Sequence, residues 1–237
     1  MKRTGRRQWL ASIGGAAGTG ILLSTALGLT SGDESASGTA VASDDVAPTE
    51  DLMREHGIHR RIILVYREAA HRLRLQADVP MDAVAESAAL VTRFIHGYHE
   101  KLEEKHVLPR LAAQGSMGPL IATLTQQHEA GRVLTGRITE LSRGSAPDAE
   151  ARARLRAALE AFVRMYEPHA QREDTELIPA YRALLTATEL QHLAQRFDEE
   201  EHLALGNDGF AGAVVTVRQI ETAFGLNDLA SFTPQLA

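Results

Sequence analysis

From residue 48 onward, apolar residues recur at intervals of three and four, and no stretch sustains the apolar–polar alternation of a strand. A period of about 3.6 marks a helix and a period of two marks a half-buried strand, so this pattern admits helices and excludes a sheet. The clearest stripe is Leu52, His56, His59, Ile63, Tyr66, Ala70 and Leu73, which has the spacing of a bundle seam and carries two histidines. Composition agrees: Ala, Leu, Glu and Arg dominate while aromatics make up 5%, a balance that favours helices. The spacing predicts helices over about 48–76, 80–109, 119–143 and 147–185, followed by 188–205 and 210–224. Pro48 suits a first turn, Gly144 a helix end, and Gly206-Asn207-Asp208-Gly209 a break. Pro109 is expected to kink or end the second helix, and Pro168 and Pro179 to kink the fourth. Short connections imply antiparallel neighbours. The expected fold is all-α: an up-down four-helix bundle over residues 48–205 with C-terminal accessory helices, residues 206–237 forming a final helix and tail.

Residues 1–42 have a different composition. Lys2, Arg3, Arg6 and Arg7 precede an apolar, Gly-rich stretch from Trp9 to Leu29, the layout of a secretory signal. The run Thr4-Gly5-Arg6-Arg7-Gln8-Trp9-Leu10 resembles the twin-arginine export signal. A small-residue cleavage site follows at Ala40-Val41-Ala42, which places the mature start near Ser43, with 43–47 as a linker. An uncleaved membrane anchor is the alternative, and five glycines weaken it. The expected destination is outside the cytoplasm, periplasmic or extracellular, with no stable membrane insertion after cleavage. Twin-arginine cargo crosses the membrane folded, which raises the expectation of a cofactor loaded beforehand.

The net charge is −6, with 31 acidic against 25 basic residues, and removing residues 1–42 makes the balance more acidic. Such a chain lacks the basic footprint of a nucleic-acid binder. It has no cysteine, so disulfides, zinc-thiolate sites, iron–sulfur clusters and thiol nucleophiles are excluded, and any metal must be held by imidazole and carboxylate. Ten histidines are available.

An internal repeat orders them. His99 is followed by Glu103, Glu104, Val107, Leu108 and Pro109, and His169 is followed at identical spacing by Glu173, Asp174, Leu177, Ile178 and Pro179, an offset of 70. At an offset of 72, Leu52, His56, Arg60 and Ile62 match Leu124, His128, Arg132 and Leu134. Each half thus supplies one lone His and one His-x-x-x-Glu pair. Four residues along a helix give about 400° of rotation and about 6 Å of rise, so each pair points one way, one turn apart. Two buried Glu would burden an apolar core unless a cation offset their desolvation. Nitrogen and oxygen donors of this kind in a bundle core suit iron or manganese pairs.

The segments 94–111 and 166–181, with His56 and His128 upstream, resemble the cation-binding domain of the hemerythrin-like family, and the resemblance covers about residues 48–205. It implies an up-down four-helix bundle holding two non-haem irons (two Fe), with His56, His99, His128 and His169 as terminal ligands and Glu103 and Glu173 as bridging carboxylates. In the oxygen-carrying members the third helix supplies two His one turn apart; here Arg132 stands four residues after His128. Arginine cannot coordinate. The resemblance therefore stops short of reversible oxygen carriage, and one position is either open or filled by Glu100 or His59, with the Arg132 charge near enough to attract a small anion. The carriers' fourth-helix carboxylate is an Asp five residues after its His. Asp174 has that spacing but points about 140° away on a regular helix, so Glu173 is the expected ligand.

Three Glu-x-x-His strings, ending at His106, His192 and His202, have the spacing of ferritin-like di-iron sites. His106 aligns with Glu176 in the repeat and not with another His, so all three are expected to be peripheral. His96, aligned with Tyr166, is expected beside the ligands or capping the cavity. Arg60 and Arg132 are expected either to pair with Glu104 and Asp174 or to snorkel near the site. The leading reading is an exported di-iron protein that meets a small gaseous or anionic ligand: O2, NO or peroxide. An oxidase or reductase on the same site, a ferritin-like iron-handling protein and a metal-free helical interaction module are the alternatives.

Overall fold

The computed structural model describes residues 46–143 and 148–235. The expected signal at 1–42, most of the 43–47 linker, Gly144 and Pro147 lie outside the described residues. Among those described, all regular structure is helical. Six helices follow in order: α1, Pro48–Arg74; α2, residues 81–113; α3, Gly118–Ser142; α4, residues 149–183; α5, Ala187–Leu205; and α6, Gly209–Phe224, with a short 3-10 turn at Leu229–Phe232.

Local chemistry sets the boundaries. Pro48 opens α1 at a position where no N–H is needed, with Glu50 and Asp51 in its first turn and His71, Arg72 and Arg74 in its last, matching the helix dipole at both ends. The Asp148 carboxylate accepts from the Ala151 N–H at 2.7 Å and starts α4. Thr186 and Glu189 cap each other reciprocally at the start of α5. Gly225, at φ 71°, closes α6 in the left-handed conformation.

None of the three prolines ends its helix. α2 runs on through Pro109 to Ala113, and α4 through Pro168 and Pro179 to Ala183. A π turn precedes Pro109 at Glu103–Val107 and another precedes Pro179 at Glu173–Leu177. A proline ring lacks an N–H and crowds the carbonyl four residues back; a turn bonded five residues back is wider and leaves that carbonyl room. All three prolines are exposed, so at Pro168 water can satisfy the carbonyl that loses its partner. A longer π segment, Val91–His99, leads into the first of these turns.

The bundle is a ring in which α4 packs against α1 and α3, and α2 packs against α3 and closes onto α1. Antiparallel order brings the N-terminal part of α1 beside the C-terminal parts of α2 and α4 and the N-terminal part of α3. That is where the histidines lie. The other end is filled by Tyr66, Phe162, Val65, Leu159, Ala69 and Leu155, all fully buried. α6 lies along α1 and α2, with Val217, Ile220 and Phe224 inward and Arg61 on α1 paired to Glu221. α5 packs on the π segment of α2. No helix among the described residues is long and apolar enough to cross a membrane.

Candidate metal centre

Each half of the repeat contributes to one buried cluster. α1 supplies His56, α2 supplies His99 and Glu103, α3 supplies His128, and α4 supplies His169 and Glu173. Exposure of these six ranges from 0% at Glu103, His128 and Glu173 to 4% at His169. Two groupings are close enough to hold an ion each: His56, His99 and Glu103, and His128, His169 and Glu173.

The orientation of the imidazoles decides what the cluster can do. Every Nδ1 faces an oxygen acceptor: His99 to Glu55 at 2.9 Å, His56 to Asp174 at 2.6 Å, His128 to Glu104 at 3.3 Å and His169 to the Gln127 side-chain oxygen at 2.9 Å. A carboxylate or amide oxygen has no proton to give, so each Nδ1 is the donor and each neutral ring presents a bare Nε2 lone pair. All four Nε2 atoms face Glu103 and Glu173. His56 Nε2 lies 3.2 Å from Glu173, His169 Nε2 lies 3.0 Å from the other Glu173 oxygen, and His128 Nε2 lies 3.5 Å from Glu103. The His56 and His99 Nε2 atoms stand 3.0 Å apart.

Lone pairs that meet lone pairs and carboxylates repel unless a cation lies between them. Both carboxylate oxygens of Glu103 and of Glu173, and the His128 Nε2, are buried without a hydrogen-bond partner. Leaving such groups unpaired costs about 1–3 kcal/mol each and more when charged. Without metal, protons fill the gap. Burial and the neighbouring Glu173 charge push the Glu103 carboxyl up. Burial would lower His56, yet the Asp174 and Glu173 carboxylates raise it to about 9, and Glu173, Glu100 and Glu103 together raise His128 to about 9 against the same penalty. Burial also opposes ionisation of Glu173, but His169, His128 and His56 hold it well below the usual carboxylate range. The donor set fits metal: nitrogen and carboxylate ligands converge from four helices, and the outward nitrogens are already hydrogen-bonded.

A family model described as the hemerythrin HHE cation-binding domain matches residues 47–181, the stretch that contains all of this geometry. The chain belongs to the hemerythrin HHE family. Three uncharacterized proteins, one of Mycobacterium bovis and two from strains of Mycobacterium tuberculosis, are each 43% identical to it over 190 residues, covering 80% of this chain and 74% of theirs. No solved structure matches the chain significantly. The matched HHE segment ends within α4, so α5 and α6 lie beyond it.

Around the HHE cluster, the remaining residues singled out in the sequence take definite places. Arg60 pairs with Asp174 and Arg132 with Glu104, so each arginine neutralises the carboxylate that holds a lone His. Arg132 also donates to Glu100 at 3.0 Å. Its charge is thereby committed to two carboxylates, which corrects the expectation that it attracts an anion. Glu100 further meets the Tyr166 hydroxyl at 2.8 Å and His96 Nδ1 at 3.0 Å. Although Glu100 and Glu104 group with His128, this guanidinium and the Lys101 ammonium, 2.6 Å from Glu104, already balance them. His59 is buried between Tyr166 and Phe162, its Nε2 without a hydrogen-bond partner. Burial and the charges of His56, His169 and His99 hold it well below the usual histidine range, hence neutral. His96 sits against Thr135 and Glu100 beside the cluster. His106 pairs with Glu200 on α5, and His192 and His202 are exposed; none joins the cluster.

Sequence reasoning missed Glu55 and Gln127, as well as Tyr98, which donates to Glu55 at 3.1 Å. The signal was present: Glu55 and Gln127 precede His56 and His128 by one residue, so the 72-residue offset also relates this pair.

Proposed function

We propose that this protein holds two non-haem irons between the halves of its bundle and uses them to meet a small gaseous or anionic ligand such as O2, NO or peroxide. The observation that supports this most directly is the set of four imidazoles with Nδ1 hydrogen-bonded outward and Nε2 facing two carboxylates that have no other partner. In this reading His56, His99, His128 and His169 would hold the irons as terminal ligands, and Glu103 and Glu173 would be the carboxylates shared between them. Bound iron supplies electron transfer and ligand coordination. The chain's residues do the rest: Glu55, Asp174, Glu104 and Gln127 fix the imidazole tautomers, Arg60 and Arg132 offset the outer carboxylates, and Tyr166 and His59 wall the site from water. A metal-free interaction module would leave the Glu103 oxygens unpaired at the centre of the core.

The test is iron quantitation and an absorption spectrum on the purified protein, with two irons per chain expected. A chain that takes up no iron or manganese under any loading condition overturns the proposal. Steady-state turnover with peroxide or NO separates a binding protein from an enzyme on the same site. We further propose export through the Arg6-Arg7 pair. The double variant Arg6→Lys, Arg7→Lys keeps the charge and should remain in the cytoplasm; export at the level of the unaltered chain would refute this assignment.

A further inference from the structure

The pseudo-twofold relation that builds the cluster is broken at the acceptor that holds one of the imidazoles. Offsets of 72 and 70 map Glu55 onto Gln127, His99 onto His169 and Tyr98 onto Pro168. In the first half, the fully buried Glu55 carboxylate accepts from His99 Nδ1, and the buried Tyr98 hydroxyl donates to its other oxygen. In the second half, His169 Nδ1 meets the neutral Gln127 amide, and where a tyrosine would cover it there is Pro168, which has no hydroxyl and reaches no hydrogen-bond partner there. The consequence is visible in the packing. A surface cleft of about 340 Å³ opens between α3 and α4, bordered by Leu120, Thr123, Gln127, Pro168 and Arg172, with His169 in its wall. His169 is the most exposed of the six candidate ligands. Arg172 at this cleft pairs with Glu176, so it places no unbalanced positive charge at the mouth.

A hydrogen bond to a charged partner is roughly twice as strong as one to a neutral partner, and it raises the basicity of the imidazole it holds. His56, His99 and His128 have carboxylate partners, whereas His169 alone has an amide. We propose that the two metal positions are unequal: the ion on His128, His169 and Glu173 exchanges with solvent through the α3–α4 cleft as His169 swings outward, while the ion on His56, His99 and Glu103 is retained. The Gln127 amide is the positioning residue that sets the exchange rate. This rests on the two-iron reading above and assigns that site a labile and a retained half.

The experiment loads the full chain anaerobically with ferrous iron, confirms the stoichiometry, and follows release to a coloured ferrous chelator. Two phases of about equal amplitude are expected. Gln127→Glu gives His169 the partner type that His99 has and should slow the fast phase about 10- to 100-fold; Gln127→Ala should accelerate it, and both should leave the slow phase alone. Glu55→Gln should bring the slow phase toward the fast one. Thr123→Trp fills the cleft while leaving every candidate ligand in place and should also slow only the fast phase. A chain that binds no metal defeats the two-iron reading itself. A chain that binds two ions and loses both at one rate, indifferent to Gln127 and Glu55, overturns this inference and leaves that reading standing. An unchanged fast phase in Thr123→Trp overturns the route.

Discussion

At the level of single residues, the site depends on buried charge that is matched from both sides. Glu103→Ala or Glu173→Ala removes one of the two central carboxylates and, on the two-iron proposal, is expected to lose at least one iron. A ligand present at about 1,000 times its dissociation constant stabilises the fold by about 4 kcal/mol, so the loaded protein should melt on the order of 10 °C lower after either change. His106→Ala, whose partner is Glu200 on α5, is the control and should leave iron content unchanged. Arg132 plays a different part. Arg132→Ala deprives the buried Glu100 of one of its two hydrogen-bond donors, the other being the Tyr166 hydroxyl, and leaves Glu104, the acceptor for His128, to Lys101. A loss on the order of 2 kcal/mol and weaker iron retention are expected, and Arg132→Lys should rescue part of it, since one guanidinium nitrogen makes both contacts and an ammonium has three donors with which to make the same pair. These six central residues were legible from the repeat because each lies on an inward seam. Glu55 and Gln127 share the 72-residue offset, but the offset gives them no role, because they lie one residue to the side, and a flanking polar side chain looks like solvated surface until the neighbouring helix that it reaches is known.

Among the elements, the regular-helix assumption explains both what was legible and what was not. The number, order and approximate ends of the helices follow from threes-and-fours spacing and from the caps, and the ring of α1 to α4 follows from their short connections. The π turns before Pro109 and Pro179 do not, because nothing in apolar periodicity marks the one extra residue in a turn. Their occurrence at matched positions of both halves makes them part of the repeat. In α4 the turn begins at Glu173, which stays inward, while Asp174 leaves that face to reach His56 on α1. The approach of α3 to α4 depends on Gly131. A glycine inside a helix costs about 1 kcal/mol relative to alanine, yet a Cβ here would lie 1.7 Å from the Tyr166 hydroxyl oxygen. Gly131→Ala should therefore destabilise the protein in spite of its better helix propensity, by about 1–3 kcal/mol for an overpacked contact. Thermal melting of the variant checks this, and a gain in stability would show that α3 and α4 can separate without cost.

Over the whole molecule, a bundle with an apolar end and an ionisable end must keep the second from dissolving the first, and it has two ways to do so: protons or metal. In the metal-free protein His56 and His128 are held up at about 9, against an unfolded value of about 6.5. A raised imidazole stabilises the fold fully below the unfolded value, and that contribution disappears as pH rises through the folded one. The raised Glu103 carboxyl has the same sign, because the folded chain again binds more protons than the unfolded chain. The neutral His59 has the opposite sign, but its effect is complete once the pH exceeds the unfolded value. Between about pH 6.5 and 9 the metal-free protein should therefore lose a few kcal/mol and melt on the order of 10 °C lower. Metal competes with those same protons, so its apparent affinity should rise over that window, and the loaded protein should show no corresponding fall. The gap between the two melting temperatures is then expected to widen with pH. Calorimetric scans of chelated and loaded protein in matched buffers measure it; two curves that run parallel from pH 6.5 to 9 would mean that protons and metal do not share the cluster.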